Sequence, residues 1–321
     1  MYVLYDIIRH MRRKNYPWII LIILFLLLNG VLLSWMLSDR HRALEQDAET
    51  ASAAEEIGWA ARTVSDTIEK AQTRIEKDLA RAEAARHVIA HRGASGASLE
   101  HSFTTYDAAI RDGASMIEQD IVISADGTLY VSHDMNASRM TGVNRAFSDM
   151  TDAEIDQLRT YAGEKTLRLS EVFDRYGESI TYVTELKDTD QRTIDAFVSL
   201  VEEYGYQDHI IAQCLFLDTL RILEDSFPDM PKMYLCRSQD SVNNGTATEE
   251  IDIISVEDFL MTEDNARKVR DSGKQFSAWT LQSEDQIRRA IDLGAVNYFT
   301  DNVKLALSLE EEYGYEKRHE K

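Results

Sequence analysis

Residues 88–134 read VIAHRGASGASLEHSFTTYDAAIRDGASMIEQDIVISADGTLYVSHD, and the apolar runs within this stretch decide the fold. The run Val88–Ala90 delivers His91, Arg92 and Gly93 into a loop containing Ser95 and Gly96, the pattern of a buried strand at its C-terminal end. A second run, residues 116–124, carries Glu118 and Asp120. Strand side chains alternate faces, so residues two apart share one and both carboxylates point the same way. Two acids on one face repel unless a cation joins them. Asp126 and Gly127 give a hairpin signal, and a return strand over 128–132 ends in His133 and Asp134. A second histidine is thereby brought back toward the carboxylates.

Outward from this stretch, apolar runs alternate with amphipathic segments. Strands are predicted near 88–91, 116–123, 181–186, 209–214, 232–236, 251–256, 275–280 and 296–300, with helices over 102–112, 190–204, 216–226, 263–272 and 283–293. Eight such units predict an α/β fold of the TIM (β/α)8 barrel type. The connection over 237–250 reads as too polar and short for a full helix, which predicts an irregular barrel there. Residues at the C-terminal ends of barrel strands face one opening, so His91, Glu118, Asp120, Glu185 and Lys187 are expected to converge. Glu185 and Lys187 again share a face, and Glu185 completes a three-carboxylate set. Ligation by oxygen alone suits a hard divalent cation, Mg²⁺ or Ca²⁺, rather than zinc.

The order His91-Arg92, Glu118-x-Asp120, His133-Asp134 resembles the signature of the glycerophosphodiester phosphodiesterase family. The likeness runs from about His87 to Lys304 and takes in TYVTELK at 181–187, AWT at 278–280 and YFTDN at 298–302. It implies a metal site at Glu118, Asp120 and Glu185, catalytic roles for His91 and His133, and Lys187 and Trp279 around the glycerol end of the substrate. It also implies a small insertion after the second strand, to which residues 135–180 correspond. A phosphodiester is an anion that gains negative charge in the transition state, and the planar donor fork of Arg92 suits its phosphate. The chain departs from the family at 99–102, where Leu-Glu-His-Ser stands in place of Pro-Glu-Asn-Thr. His101 must then remake the asparagine's hydrogen bonds, and it reads as a polar loop residue rather than a third catalyst.

Ahead of the barrel, residues 18–37 form a 20-residue stretch without a charge, which as a helix would span roughly 30 Å, the thickness of a bilayer core. Tyr16, Trp18 and Trp35 suit its interfaces, and no small-residue cleavage site follows, so the segment reads as an uncleaved anchor. Arg9, Arg12, Arg13 and Lys14 precede it against Arg40 and Arg42 after it. The positive-inside rule puts residues 1–17 in the cytoplasm and the barrel outside, as a single-pass protein of the cell membrane. Residues 38–86 are proline-free and rich in helix formers, which predicts a helical stalk between the anchor and a barrel domain over 87–321. Ile57, Ala61, Val64, Ile68, Ala71 and Ile75 form a seam that suits either pairing of chains in a homo-oligomer or packing of a single helix.

The formal charge of −21 over 321 residues lies wholly in residues 87–321, since residues 1–86 hold 12 basic and 12 acidic side chains. Such a surface excludes nucleic acid as a partner and attracts divalent cations. The two cysteines, Cys214 and Cys236, read as buried free thiols, although neighbouring strands would let them pair. The expected activity is metal-dependent hydrolysis of glycerophosphodiesters to glycerol 3-phosphate and an alcohol at the membrane. The same site acting on lysophospholipids or glycerol-phosphate polymers is the first alternative. A stalked binding protein without turnover is the second, disfavoured because a binder need not keep both histidines and all three acids.

Overall fold

The computed structural model describes residues 59–68, 87–93 and 99–319, with side chains described as far as 313. The expected anchor over 18–37 and the segment before it lie outside the described residues, as does the stalk except at 59–68. Among the described residues, no helix is long and apolar enough to cross a membrane. Residues 59–68 are helical, with the hydroxyls of Thr63 and Thr67 donating to the carbonyls of Trp59 and Thr63 at 2.9 and 2.7 Å.

The strands from Val88 onward form a closed barrel. Its strands are β1 (Val88–Ala90), β2 (Met116–Ile123), β3 (Leu129–Val131), β4 (Thr181–Leu186), β5 (Ile210–Cys214), β6 (Lys232–Cys236), β7 (Ile253–Glu257), β8 (Gln275–Trp279) and β9 (Asn297–Thr300). Eight of them are parallel and run in sequence round the ring, which β1 closes by pairing with β9 on one side and β2 on the other. β3 is the exception, an antiparallel hairpin partner of β2 that brings Val131 opposite Ile121.

Alternation along the strands sorts the core into two parts. Ile89, Met116, Val183, Met233, Leu235, Ile253 and Phe299 pack together inside the ring. The other face of each strand, including Ile117, Ile121, Tyr182, Ile254 and Phe276, packs against the surrounding helices in a much larger cluster. All eight residues of β2 are buried, its inward carboxylates included. Residues 135–180 form the expected insertion, with short helices and a separate core of Val122, Tyr130, Phe147, Met150 and Ile155 beneath them. Cys214 and Cys236 are both buried and free.

The connection over 237–250 corrects the sequence expectation, because it contains a helix, Gln239–Ala247. Ser238 caps it reciprocally with Ser241, supplying partners for exposed backbone N–H groups. Gly245 then lets it lie close on the sheet, since a Cβ there would stand 2.6 Å from Ile254 Cδ1 and 2.7 Å from Tyr234 Cδ1. Capping and close packing, rather than propensity or an apolar stripe, stabilise this helix.

Candidate active site

β1 ends by turning sharply through His91–Gly93. Arg92 has φ 51° and Gly93 φ 87°, both in the left-handed region. A Cβ on Gly93 would stand 2.5 Å from Thr105 Oγ1 and 2.7 Å from Tyr106 Cδ1, so only glycine fits. The left-handed arginine costs about 1–3 kcal/mol. Its conformation aims the Arg92 backbone N–H at Glu118 Oε2, 2.8 Å away.

Glu118, Asp120 and Glu185 come together as the strand parity requires, with one carboxylate oxygen from each within 4.8 Å of the others. They are 2%, 1% and 7% exposed. Burial, and then repulsion from Asp120, push Glu118 well above the ordinary carboxylate range and raise Glu185 to about 8. Asp120 goes the other way: burial opposes its ionisation, but the hydrogen bond from His101 and the charge of Lys187 hold it well below the usual range. Lys187 Nζ lies 2.8 Å from Glu185 Oε1 and 3.3 Å from Asp120 Oδ1. Gln213 Nε2 donates to Glu118 Oε1 at 3.2 Å.

Lys187 and Arg92 do not fully compensate three buried acids, since burial and mutual repulsion still raise Glu118 and Glu185, and a cation would supply the missing charge. Three carboxylates with no nitrogen or sulfur ligand among them are the donor set of a hard divalent ion, so the residues fit one.

The two expected histidines flank this cluster, each oriented by a carboxylate. His91 Nδ1 lies 2.9 Å from Asp301 Oδ1, whose other oxygen accepts from Gln282 Nε2 at 2.6 Å. A proton on Nδ1 satisfies the aspartate and leaves His91 Nε2 with its lone pair. His133, two residues past β3, places Nδ1 2.9 Å from Asp134 Oδ1, and burial lowers its pKa. Trp279 closes β8, its Nε1 donating to the Ser255 carbonyl at 3.1 Å.

Sequence reasoning gave no site role to the residues that hold these groups in place. Arg139, in the insertion, hydrogen-bonds both Asp134 and Glu100, and Glu100 Oε2 accepts from Arg92 Nη1 at 3.1 Å. An unbroken chain of polar contacts thus runs from His133 through Asp134, Arg139 and Glu100 to Arg92. Asp134, Asp301 and Glu100 stood inside the motifs, whereas no local signal marks Arg139 or Gln213. His101 lies in the turn before the helix Phe103–Asp112, as expected of a polar loop residue, and is buried there. Its Nε2 meets Asp120 Oδ2 at 2.8 Å and its Nδ1 meets the Tyr106 hydroxyl at 3.0 Å.

Comparison with known proteins accords with this geometry. Residues 91–305 match the model of the glycerophosphoryl diester phosphodiesterase family. The chain is 27% identical over 241 residues to a glycerophosphodiester phosphodiesterase of Bacillus subtilis, covering 66% of this chain and 82% of the relative. It is 23% identical to the human lysophospholipase D GDPD1, covering 66% and 82%. Among solved structures, an Oleispira antarctica phosphodiesterase in complex with the product sn-glycerol-3-phosphate shares the fold, with a TM-score of 0.62 at 21% identity over 70% of this chain and 96% of that one. On the family match across two-thirds of its length, the chain belongs to the glycerophosphoryl diester phosphodiesterase family and is a phosphoric diester hydrolase.

Proposed function

We propose that this chain hydrolyses glycerophosphodiesters to glycerol 3-phosphate and an alcohol, in a cation-dependent reaction at a membrane surface. The observation that carries the reading is the buried carboxylate triad within 4.8 Å, flanked by two carboxylate-oriented histidines. Glu118, Asp120 and Glu185 would hold a divalent cation, Mg²⁺ or Ca²⁺. When bound, it supplies Lewis acidity toward the phosphoryl oxygens, where negative charge builds. Arg92 binds the phosphate: Glu100 holds Nη1 and Asp120 lies 3.6 Å from Nε, which fixes the guanidinium while part of its donor fork stays exposed toward a phosphoryl oxygen. Lys187 and Trp279 border the glycerol moiety. His91 takes the proton of the attacking oxygen on its free Nε2, and His133 protonates the departing alkoxide. A panel of glycerophosphodiesters differing in head group, with products identified, tests the reading. Release of glycerol 3-phosphate supports it, and release of free glycerol with a phosphorylated head group contradicts it.

Arg139 serves as a positioning residue, since it ties the carboxylates beside His133 and Arg92 to each other. Arg139→Ala is expected to lower kcat on an alkyl diester by about 10–100-fold, the usual effect of losing an outer support. Arg139→Lys should recover only part of the loss, because an ammonium lacks the planar fork that reaches two carboxylates. Unchanged kcat in both variants would remove Arg139 from the account.

A lysophospholipid substrate is the second reading. Phe216 and Phe259, which follow β5 and β7 at the mouth of the barrel, are 46% and 63% exposed and offer an apolar lip for an acyl chain. An anchor over 18–37 would tether the barrel to a membrane and, by its flanking charges, place it outside the cytoplasm. Protease added to intact cells is then expected to release a barrel-sized fragment, whereas protection until the membrane is broken would reverse the topology.

A further inference from the structure

The mouth of the barrel is divided. Its β1–β4 side carries the histidines, the acids, Arg92 and Lys187, and nearly every charge there is matched by a partner. Arg92 and Arg139 are each paired with carboxylates, and Lys187 lies against two of them.

The β5–β8 side is different. Met233 and Leu235 on β6 point into the ring, and the alternation continues to Arg237, one residue past the strand end and at the level of the mouth. Its guanidinium lies over the Trp279 ring, 5.2 Å from the centroid. The ring is a fixed platform, because its Nε1 is bonded to the Ser255 carbonyl. Arg237 is exposed, and among the described residues no carboxylate lies within ion-pairing distance of it and no hydrogen bond uses its donors. In a chain with a formal charge of −21, an arginine at the mouth of an anion-processing site with its donor fork free is available to a ligand.

We propose that Arg237 and Trp279 form a second anion subsite, which takes a phosphate carried on the far end of the substrate's glycerol unit. The inference rests on the reading that places the scissile phosphate at the triad and the glycerol moiety beside Trp279. Only β5 separates β6 from β4, which carries Glu185, so the strands bearing the two anion positions lie roughly 10 Å apart. A three-carbon unit with phosphate at both ends, together with the reach of an arginine side chain, covers a distance of that order. The ligand class is therefore a glycerol esterified to phosphate at both terminal hydroxyls, either as a small bisphosphate or as a repeat within a polyol-phosphate chain. Stacking on the indole holds the guanidinium while leaving its edge free for phosphate oxygens.

Binding, rather than turnover, tests this. Glycerol 3-phosphate and glycerol 1,3-bisphosphate are titrated calorimetrically into the full chain in detergent with Mg²⁺ present, for the unmodified protein, Arg237→Ala and Arg237→Gln. A charge-assisted contact should favour the bisphosphate by about 10–100-fold, and both variants should lose that preference. Equal affinity for the two ligands in the unmodified protein, or a preference that survives in both variants, would overturn the subsite. Failure of the underlying reading has a separate sign, the absence of binding by either ligand. A short glycerol-phosphate oligomer as competitor separates the two sources of the phosphate: stronger competition than by the bisphosphate indicates the chain, and weaker competition the small molecule.

Discussion

Glu118→Gln is expected to abolish turnover, lowering kcat on a glycerophosphodiester by about a thousandfold, and to weaken binding of the divalent cation in the same protein. Glutamine keeps the shape of the side chain and one acceptor oxygen for the Arg92 N–H, but not the charge that completes the donor set. Loss of Lewis acidity toward the phosphoryl group removes several kcal/mol of transition-state stabilisation, which that factor expresses. The fold should survive. Burial and the charge of Asp120 hold Glu118 far above its usual range, so a neutral amide relieves a conflict, and the melting temperature of the cation-free variant should not fall. Asp120→Asn should lose activity to a similar degree, but with less benefit to stability, because the ionised Asp120 is paired with His101 and Lys187. Calorimetric titration of the cation beside steady-state kinetics checks both. Normal turnover with normal cation binding in either variant would remove the triad from the mechanism.

The second large effect separates the histidines. An alkyl alkoxide needs a proton as it departs, whereas nitrophenolate does not. His133→Ala should therefore lose far more activity on an alkyl phosphodiester than on a nitrophenyl one, by about 10²–10⁴-fold on the former, while His91→Ala is impaired on both. The pH dependence follows from the same assignment. Burial lowers the pKa of His133, so its protonated form is lost as pH rises through a value below that of an ordinary imidazole. On alkyl substrates the rate should fall over that window, and on nitrophenyl substrates this fall should be missing. If the nitrophenyl substrate rescues His91→Ala instead, the roles are exchanged; rescue of neither would end the acid and base scheme.

The barrel was legible in the sequence because its strands are buried on both faces and read as short runs rich in apolar residues. In β2 that run is MIEQDIVI, and parity alone put Glu118 and Asp120 on one side. The helix Gln239–Ala247 was not legible, since it has almost no apolar stripe and depends on a cap at Ser238 and on the absence of a side chain at Gly245. The site divides similarly. Residues set by strand parity or by the hairpin were found, including Glu185 and His133. Arg139, Gln213 and the role of Asp301 were not, because each acts on a partner remote in the chain: Glu100, Glu118 and His91 respectively. His101 lay between these cases. Its departure from the family's asparagine was visible, but only the fold shows that a longer side chain can span from the Tyr106 hydroxyl to Asp120 without leaving the core.

The central claim is that a cation held by three buried carboxylates drives cleavage of a glycerophosphodiester. It is tested most directly by following glycerophosphocholine hydrolysis with the full chain in detergent, first stripped of metal by a chelator and then given Mg²⁺ or Ca²⁺ in measured amounts. The account expects near-zero turnover when stripped, and recovery that saturates at about one equivalent of cation, with glycerol 3-phosphate and choline as products. Full activity in the stripped protein, or recovery yielding phosphocholine and glycerol, would contradict it.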